Sequence, residues 1–190
     1  MTTAAATIDT LTPALVERAR SGDRAAFETL IDTRMWRLLR LASSILLHDA
    51  DASDAVQDSC VRAWVELPRL RDPNLFDPWL WRIVINACRD TQRRRQRASV
   101  RELTIDGDGA VMDVAADGPG PGETIPEADL VRLAFARLDA DRRTILILHH
   151  VEERPISEIA TLLGIPEGTA KWRLHAARRA LERALEVERR

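Results

Sequence analysis

Arg82, Asn86, Arg89, Arg93 and Arg97 recur every three or four residues, so on a helix they form one edge. Four of the five are arginines, and a row of guanidiniums at that pitch can track a phosphate backbone. Arg94 and Arg95 thicken the charge, and Trp79 and Trp81 stand just ahead of the row beside a Pro- and Asp-rich segment. Such a loop with neighbouring aromatics can hold an unstacked base. A second set lies in residues 154–185, RPISEIATLLGIPEGTAKWRLHAARRALERAL. On a helical wheel Gly168, Trp172, His175, Ala176, Arg179 and Arg183 fall opposite Ala170, Leu174, Ala177, Leu181 and Leu185, which gives a basic outer face with an aromatic in it. A third set, Asp54, Gln57, Asp58 and Arg62, forms a polar stripe that by itself reads as a solvated helix face. None of the three has a nucleophile paired with a base, so the chemistry on offer is binding, and the chain reads as a non-enzyme.

The elements that must carry these sets are helices. Ile156–Leu163 has small Ala160 inside an apolar frame, and Gly164 takes the left-handed position after a helix end. Pro166 and Thr169 open a longer helix, so the pair reads as a helix-turn-helix whose second helix enters a major groove. The competing reading is an ordinary helical hairpin with a solvated arginine face. Gly164 with Ala160 at crossing spacing, and Arg, Trp and His outward in place of a Glu/Lys mixture, favour DNA binding.

Upstream, 1–12 is a small, polar leader, and Pro13–Arg20 is a short helix ended by Ser21 and Gly22. Asp23 can cap a helix running to about Leu47, with Phe27, Leu30, Ile31, Leu38, Leu41, Ile45 and Leu46 for a core. A helix from about Asp51 to Leu67 buries Val56, Cys60, Ala63, Trp64 and Leu67. Pro68–Asp77 is a loop, and Asp77-Pro78 reads as an N-cap followed by proline at the first helical position. The arginine-edged helix then runs to about Arg97, with Leu80, Val84, Ala87, Cys88 and Thr91 on its apolar side. Residues 99–127 are rich in Gly, Pro and Asp and lack periodicity, which marks a flexible acidic linker. It is either plain spacing or an acidic strand that occupies a basic channel otherwise used by nucleic acid. A helix from Ala128 to Leu138 follows, then RRTILILHHVE, capped by Asp139 or Asp141 and apolar nearly all round.

Composition agrees with binding rather than catalysis. The 190 residues are 45% hydrophobic and 31% charged, which suits one or two small all-α domains. The net charge of −2 hides a division. Residues 1–101 hold 16 arginines against 13 acids, residues 131–190 hold 12 basic groups against 9 acidic, and 102–130 hold 8 acids with no base. Two mildly basic ends flank an acidic middle, and distribution is the informative quantity for a nucleic-acid binder. Cys60 and Cys88 are too few for a disulfide framework and read as buried thiols. The four histidines lack partners at ligand spacing, so neither a metal nor another cofactor is expected. No stretch has the length of a membrane span or the pattern of a leader peptide, so a cytoplasmic protein with no membrane insertion is expected.

Taken together, SDAVQDSCVRAW (53–64), WLWRIVINACRDTQRRR (79–95), the acidic linker and LDADRRTILILHHVEERPISEIATLLGIPEGTAKWRLHAARRAL (138–181) resemble the extracytoplasmic-function group of the sigma-70 family of RNA polymerase initiation factors. The resemblance implies a region 2 helical bundle over 13–98 and a region 4 helix-turn-helix over 128–190, joined by the linker. It implies core RNA polymerase (clamp and flap) and promoter DNA as partners, and an anti-sigma factor. Asp54, Gln57 and Asp58 match the patch that docks on the clamp. The loop 72–77 lies where such factors capture a flipped base of the −10 element, with Asn74, Phe76 and Asp77 as candidates and Trp79 as a wedge. Arg82, Asn86, Arg89, Arg93 and Arg94 match the helix along the −10 backbone. Thr169, Lys171, Trp172, Arg173, His175 and Ala176 fall where −35 bases are read, and Arg178 and Arg179 where phosphate is gripped. Trp172 and Ala176 depart from the small hydroxyl residue and arginine common at those positions, so the −35 sequence does not follow by analogy. The alternative is a stand-alone helix-turn-helix regulator acting without core polymerase.

Overall fold

Several helix ends among the described residues are closed by a residue suited to the task. The computed structural model describes residues 12–105 and 127–189. α1 (12–20) ends at Ser21-Gly22. The Asp23 carboxylate then accepts from Ala26 N (3.0 Å) to start α2, Arg24–Leu46. Leu47, with φ 56°, closes α2, and His48 starts α3, Asp49–Glu66, by accepting through Nδ1 from Asp51 N. Two short 3₁₀ turns, Leu67–Arg69 and Pro73–Leu75, lead into α4, Phe76–Ile105. The second half holds α5 (Glu127–Ala136), α6 (Ala140–His150), α7 (Ile156–Leu163) and α8 (Glu167–Glu188). Among the described residues every regular element is helical, as the all-α expectation required.

The expected α2 stripe from Phe27 to Leu46 is buried throughout. On α3, Val56 and Ala63 are buried, as is Leu67 just beyond its end, while Cys60, expected to be buried, and Trp64 are half-covered, Trp64 leaning on Phe27 with ring centroids 5.1 Å apart. Each Leu or Ile fully removed from water contributes about 1.5–3 kcal/mol, so this apolar spacing is enough to fix the α2–α3–α4 bundle. In the second half α8 packs on α5, α6 and α7. Of the two candidate caps for α6 it is Asp139 that accepts from Arg142 N, at 2.8 Å. Gly164 ends α7 at φ 65°, as expected of a residue in that position.

Two expectations need correction. Asp77 does not cap α4: the helix already includes Phe76, and the Asp77 carboxylate is engaged by the Arg34 side chain instead. The cap upstream is Asp72, which accepts from Asn74 N at 2.9 Å. α4 also continues to Ile105, so the segment expected to be linker from residue 99 starts as helix. The rest of that segment, with the acidic-strand idea attached to it, and the leader at 1–11 lie outside the described residues.

The two halves pack together, an arrangement no local pattern announced. α6 meets α2 and α4, α7 meets α4, and a continuous apolar cluster runs through both halves. Arg143, buried on α6, donates from Nε to Ile45 O of α2 (2.8 Å) and from Nη1 to Leu138 O. Burial lowers its pKa, with Asp139 opposing. Glu152, with a side chain only 2% exposed, accepts from Arg37 (2.9 Å) and from Arg40, both on α2. Arg37 and Arg154 also lie over the ring of buried Trp81, 5.3 and 4.5 Å from its centroid.

Candidate nucleic-acid interface

The arginine edge of α4 survives folding largely intact. Arg82, Asn86, Arg93 and Arg97 are exposed, because the opposite side of the helix carries Leu80, Val84, Ala87 and Cys88 into the core. Arg89 lies on the same edge but is half-covered, donating from Nε to Asp141 of α6 at 3.0 Å. Arg94 departs from the edge by about one residue's rotation, roughly 100°. It lines a polar cleft with Arg95, Thr91, Asp51, Asp54 and Asp58, and Arg95 pairs with Asp51. Arg94 therefore faces the acidic stripe of α3 rather than the row it was grouped with.

The loop before α4 is anchored at both ends and open in between. Leu70 and Phe76 are buried, while Arg71, Asp72, Asn74 and Leu75 are exposed. Asn74 donates from its backbone N and from Nδ2 to the same Asp72 oxygen, each at 2.9 Å, which holds its amide at the loop surface. Phe76, a candidate for base contact, is buried in this structure. Its ring is fully buried, 5.8 Å from Trp79 and 5.2 Å beneath the Arg34 guanidinium, so it anchors the end of the loop. Trp79 is half-buried, and Asp77 is turned toward Arg34.

On α3, Asp54, Gln57 and Asp58 are exposed together with Arg62, since Ala55, Val56, Ser59 and Ala63 take the buried positions. Gln57 also borders an apolar groove of about 370 Å³ lined by Phe27, Ile31, Met35, Leu39 and Val56.

On α8 the outward face matches the wheel. Ala170, Leu174 and Ala177 are buried, while Lys171, Trp172, His175, Arg178 and Arg179 are exposed and Thr169, Arg173 and Ala176 half-covered. Trp172 is 69% exposed, a large apolar surface that nothing within the described residues covers. Lys171 pairs with Glu167 at 2.7 Å. Arg178 donates from Nε to His150 Nε2 at 3.2 Å. Burial, with the charges of Arg178 and His149 adding to it, lowers the pKa of His150.

Sequence reasoning passed over Arg34, Glu152 and Arg143. Arg34 did leave a signal: it sits four residues from both Leu30 and Leu38 on the buried stripe of α2, where an arginine is out of place unless it is paired.

Neither three or more clustered His, Cys, Asp or Glu able to hold a metal nor a helix apolar enough to cross a membrane occurs among the described residues. Two family models match the chain, Sigma-70 region 2 over residues 30–98 and Sigma-70, region 4 over 128–181. The RNA polymerase sigma factor NccH of Alcaligenes xylosoxydans xylosoxydans is 32% identical over 177 residues, 91% of this chain and 94% of that one. The ECF RNA polymerase sigma factor SigW of Bacillus subtilis is 27% identical over 176 residues, 90% of this chain and 94% of that one. The fold is also that of CnrH in its complex with the cytosolic domain of CnrY, with a TM-score of 0.64 at 26% identity, covering 93% of this chain and 97% of that chain. Matching two region models in order, and relatives along nearly its whole length, the chain belongs to the extracytoplasmic-function group of the sigma-70 family, the factors that bind core RNA polymerase and direct promoter-specific initiation.

Proposed function

We propose that initiation by this protein rests on a two-handed grip whose parts are the four surfaces described above. The exposed stripe Asp54, Gln57 and Asp58 docks on the polymerase clamp. The loop 72–77 takes an unpaired base of the −10 element through Asn74, with Trp79 supporting the strand separation. Arg82, Asn86, Arg93 and, once released from Asp141, Arg89 follow the adjoining backbone. α8 reads the −35 element with Trp172, His175 and Lys171, while Arg178 and Arg179 hold phosphate. Trp172 offers no bidentate hydrogen-bond pattern, so its contribution is contact with a thymine methyl or with groove shape.

The observation that carries this reading is the coexistence on one chain of a basic α4 edge and a basic α8 face, each exposed and each with its own apolar backing. Each surface alone presents few charges, so its affinity is weak and salt-sensitive. Seating both on one polymerase raises the effective concentration of the second contact. Polymerase supplies the chemistry, and this chain supplies address and strand opening. An anti-sigma partner, expected from family membership, and a cytoplasmic site of action belong to the same reading. The stand-alone regulator is not favoured, since region 2 accounts for the first half of the chain.

The test is charge reversal at the docking stripe. Asp54→Arg with Asp58→Arg should abolish co-purification with core polymerase while leaving helical content unchanged, because both side chains are exposed. Core binding that persists in this variant, with promoter binding in the absence of polymerase, would return the stand-alone regulator to favour.

A further inference from the structure

Arg34 is the most densely bonded side chain among the described residues of the first half, and the promoter-binding surfaces proposed above do not include it. Its side chain is 8% exposed. Nε donates to Asp77 Oδ1, and Nη2 to Asp77 Oδ2 at 3.1 Å and to Thr12 Oγ1 at 2.9 Å. Nη1 donates to Leu30 O and Thr33 Oγ1, both at 3.0 Å, and the guanidinium lies 5.2 Å from the Phe76 ring centroid. Every one of the five N–H groups that an arginine carries is thereby matched to an acceptor. A lysine has three donors and no planar fork, so it cannot reproduce the set.

What this cluster holds is the downstream end of the exposed loop. Phe76 and Asp77 are where the chain passes from the loop into α4, and both are gripped by the same guanidinium. A buried ion pair is a poor source of net stability, and well-packed apolar groups do as well or better. A bidentate fork does fix direction, and direction is what a loop needs if it is to present one amide to one base.

We propose that Arg34 is a positioning residue for −10 recognition: by holding Asp77 and Phe76, it sets the loop conformation in which Asn74 meets the captured base. The inference rests on the reading of loop 72–77 as the capture loop. It gives Asp77 an indirect role in place of base contact, because its carboxylate is occupied by Arg34.

The experiment uses full-length protein with core polymerase and a fork-junction DNA built on a start site mapped by run-off transcription. A 2-aminopurine replaces successive bases of the single-stranded −10 segment, so that capture registers as a fluorescence change. Arg34→Met and Asp77→Asn should each weaken capture about tenfold or more while core binding and −35 duplex binding stay within about twofold of wild type. The double variant should be impaired no more than the worse single one, since both changes cut one contact. Additive impairments, or wild-type capture in either variant, would overturn the proposal. Should Arg34→Met fail to bind core polymerase, the same cycle is run with Arg34→Lys, which keeps the charge and removes only the fork, and the same outcomes decide. Asn74→Ala separates base capture from loop positioning. If it leaves capture intact, the loop reading itself fails; if it abolishes capture while the Arg34 variants do not, only the positioning role fails.

Discussion

Replacing Glu152 with alanine should loosen the packing of the two halves. Its side chain is 2% exposed and its carboxylate is held by two arginines from the other half, so it joins residues more than a hundred positions apart in the chain. Breaking an ion pair sealed in a protein interior costs about 3–5 kcal/mol. Here the arginines are 52% and 39% exposed and can rehydrate once the acid is gone, which lowers the figure to about 1–3 kcal/mol. That corresponds to a factor of about 5–150 in the equilibrium between packed and separated halves. Acid should act in the same direction. Burial works to raise the Glu152 pKa, but hydrogen bonds from Arg37 and Arg40 overcome it and leave the group below its ordinary 4.5. A carboxyl with a lowered folded-state pKa stabilises above its ordinary value and ceases to do so as pH falls through the lowered one. Small-angle scattering measures the outcome. The radius of gyration of Glu152→Ala at neutral pH should exceed that of wild type, and wild type should expand toward it as pH falls below 4.5. Identical radii for the two proteins, unchanged by acid, would refute the assignment of Glu152 as a tie between the halves.

Further outcomes follow from single residues. Gly164→Ala should destabilise the second half by about 1–2 kcal/mol, since φ 65° is disfavoured for any residue with a Cβ, and a Cβ there meets nothing within 4 Å. Gly168→Ala, with equally open space but a helical backbone, should be neutral to stabilising by up to about 1 kcal/mol, and calorimetry distinguishes the pair. Burial pushes the Cys88 thiol up to about 12 and raises that of half-covered Cys60 as well. Iodoacetamide at about pH 8, near the ordinary thiol range, should therefore spare Cys88 in the native protein and modify both in guanidinium; prompt native labelling of Cys88 would contradict its burial. Arg82→Gln with Arg93→Gln should weaken promoter binding and reduce the slope of log K against log salt by about 0.7–0.9 for each phosphate that is no longer neutralised. An unchanged slope would remove those residues from the DNA.

Elements were readable from the sequence where their determinants are local. The apolar period of α2 and α3, the left-handed Gly164, and the division of α8 into Ala170, Leu174 and Ala177 against Trp172 and His175 each follow from residues within a few turns of one another. The α3 stripe proposed to dock on the clamp was readable only as geometry, since Asp54, Gln57 and Asp58 look like any solvated face until a partner is known. What the sequence withheld depends on distant pairings. Asp77 followed by Pro78 has the form of a cap, yet its carboxylate goes to Arg34, 43 positions away. Phe76 looks available to a base because it lies in a polar loop, and it is covered by Trp79 and by that same arginine. The packing of the halves is tied in part by Glu152 and Arg143, charged residues that reach α2 at Arg37, Arg40 and Ile45 O, and nothing in the spacing around them points there.

Run-off transcription with core polymerase on a library of fragments from the source genome tests the central claim most directly. Discrete transcripts should appear only when this protein is added, share two upstream boxes, and vanish with Asp54→Arg plus Asp58→Arg. Addition of the protein that yields no new start site anywhere in the library would contradict its assignment as an initiation factor that grips two promoter elements from core polymerase.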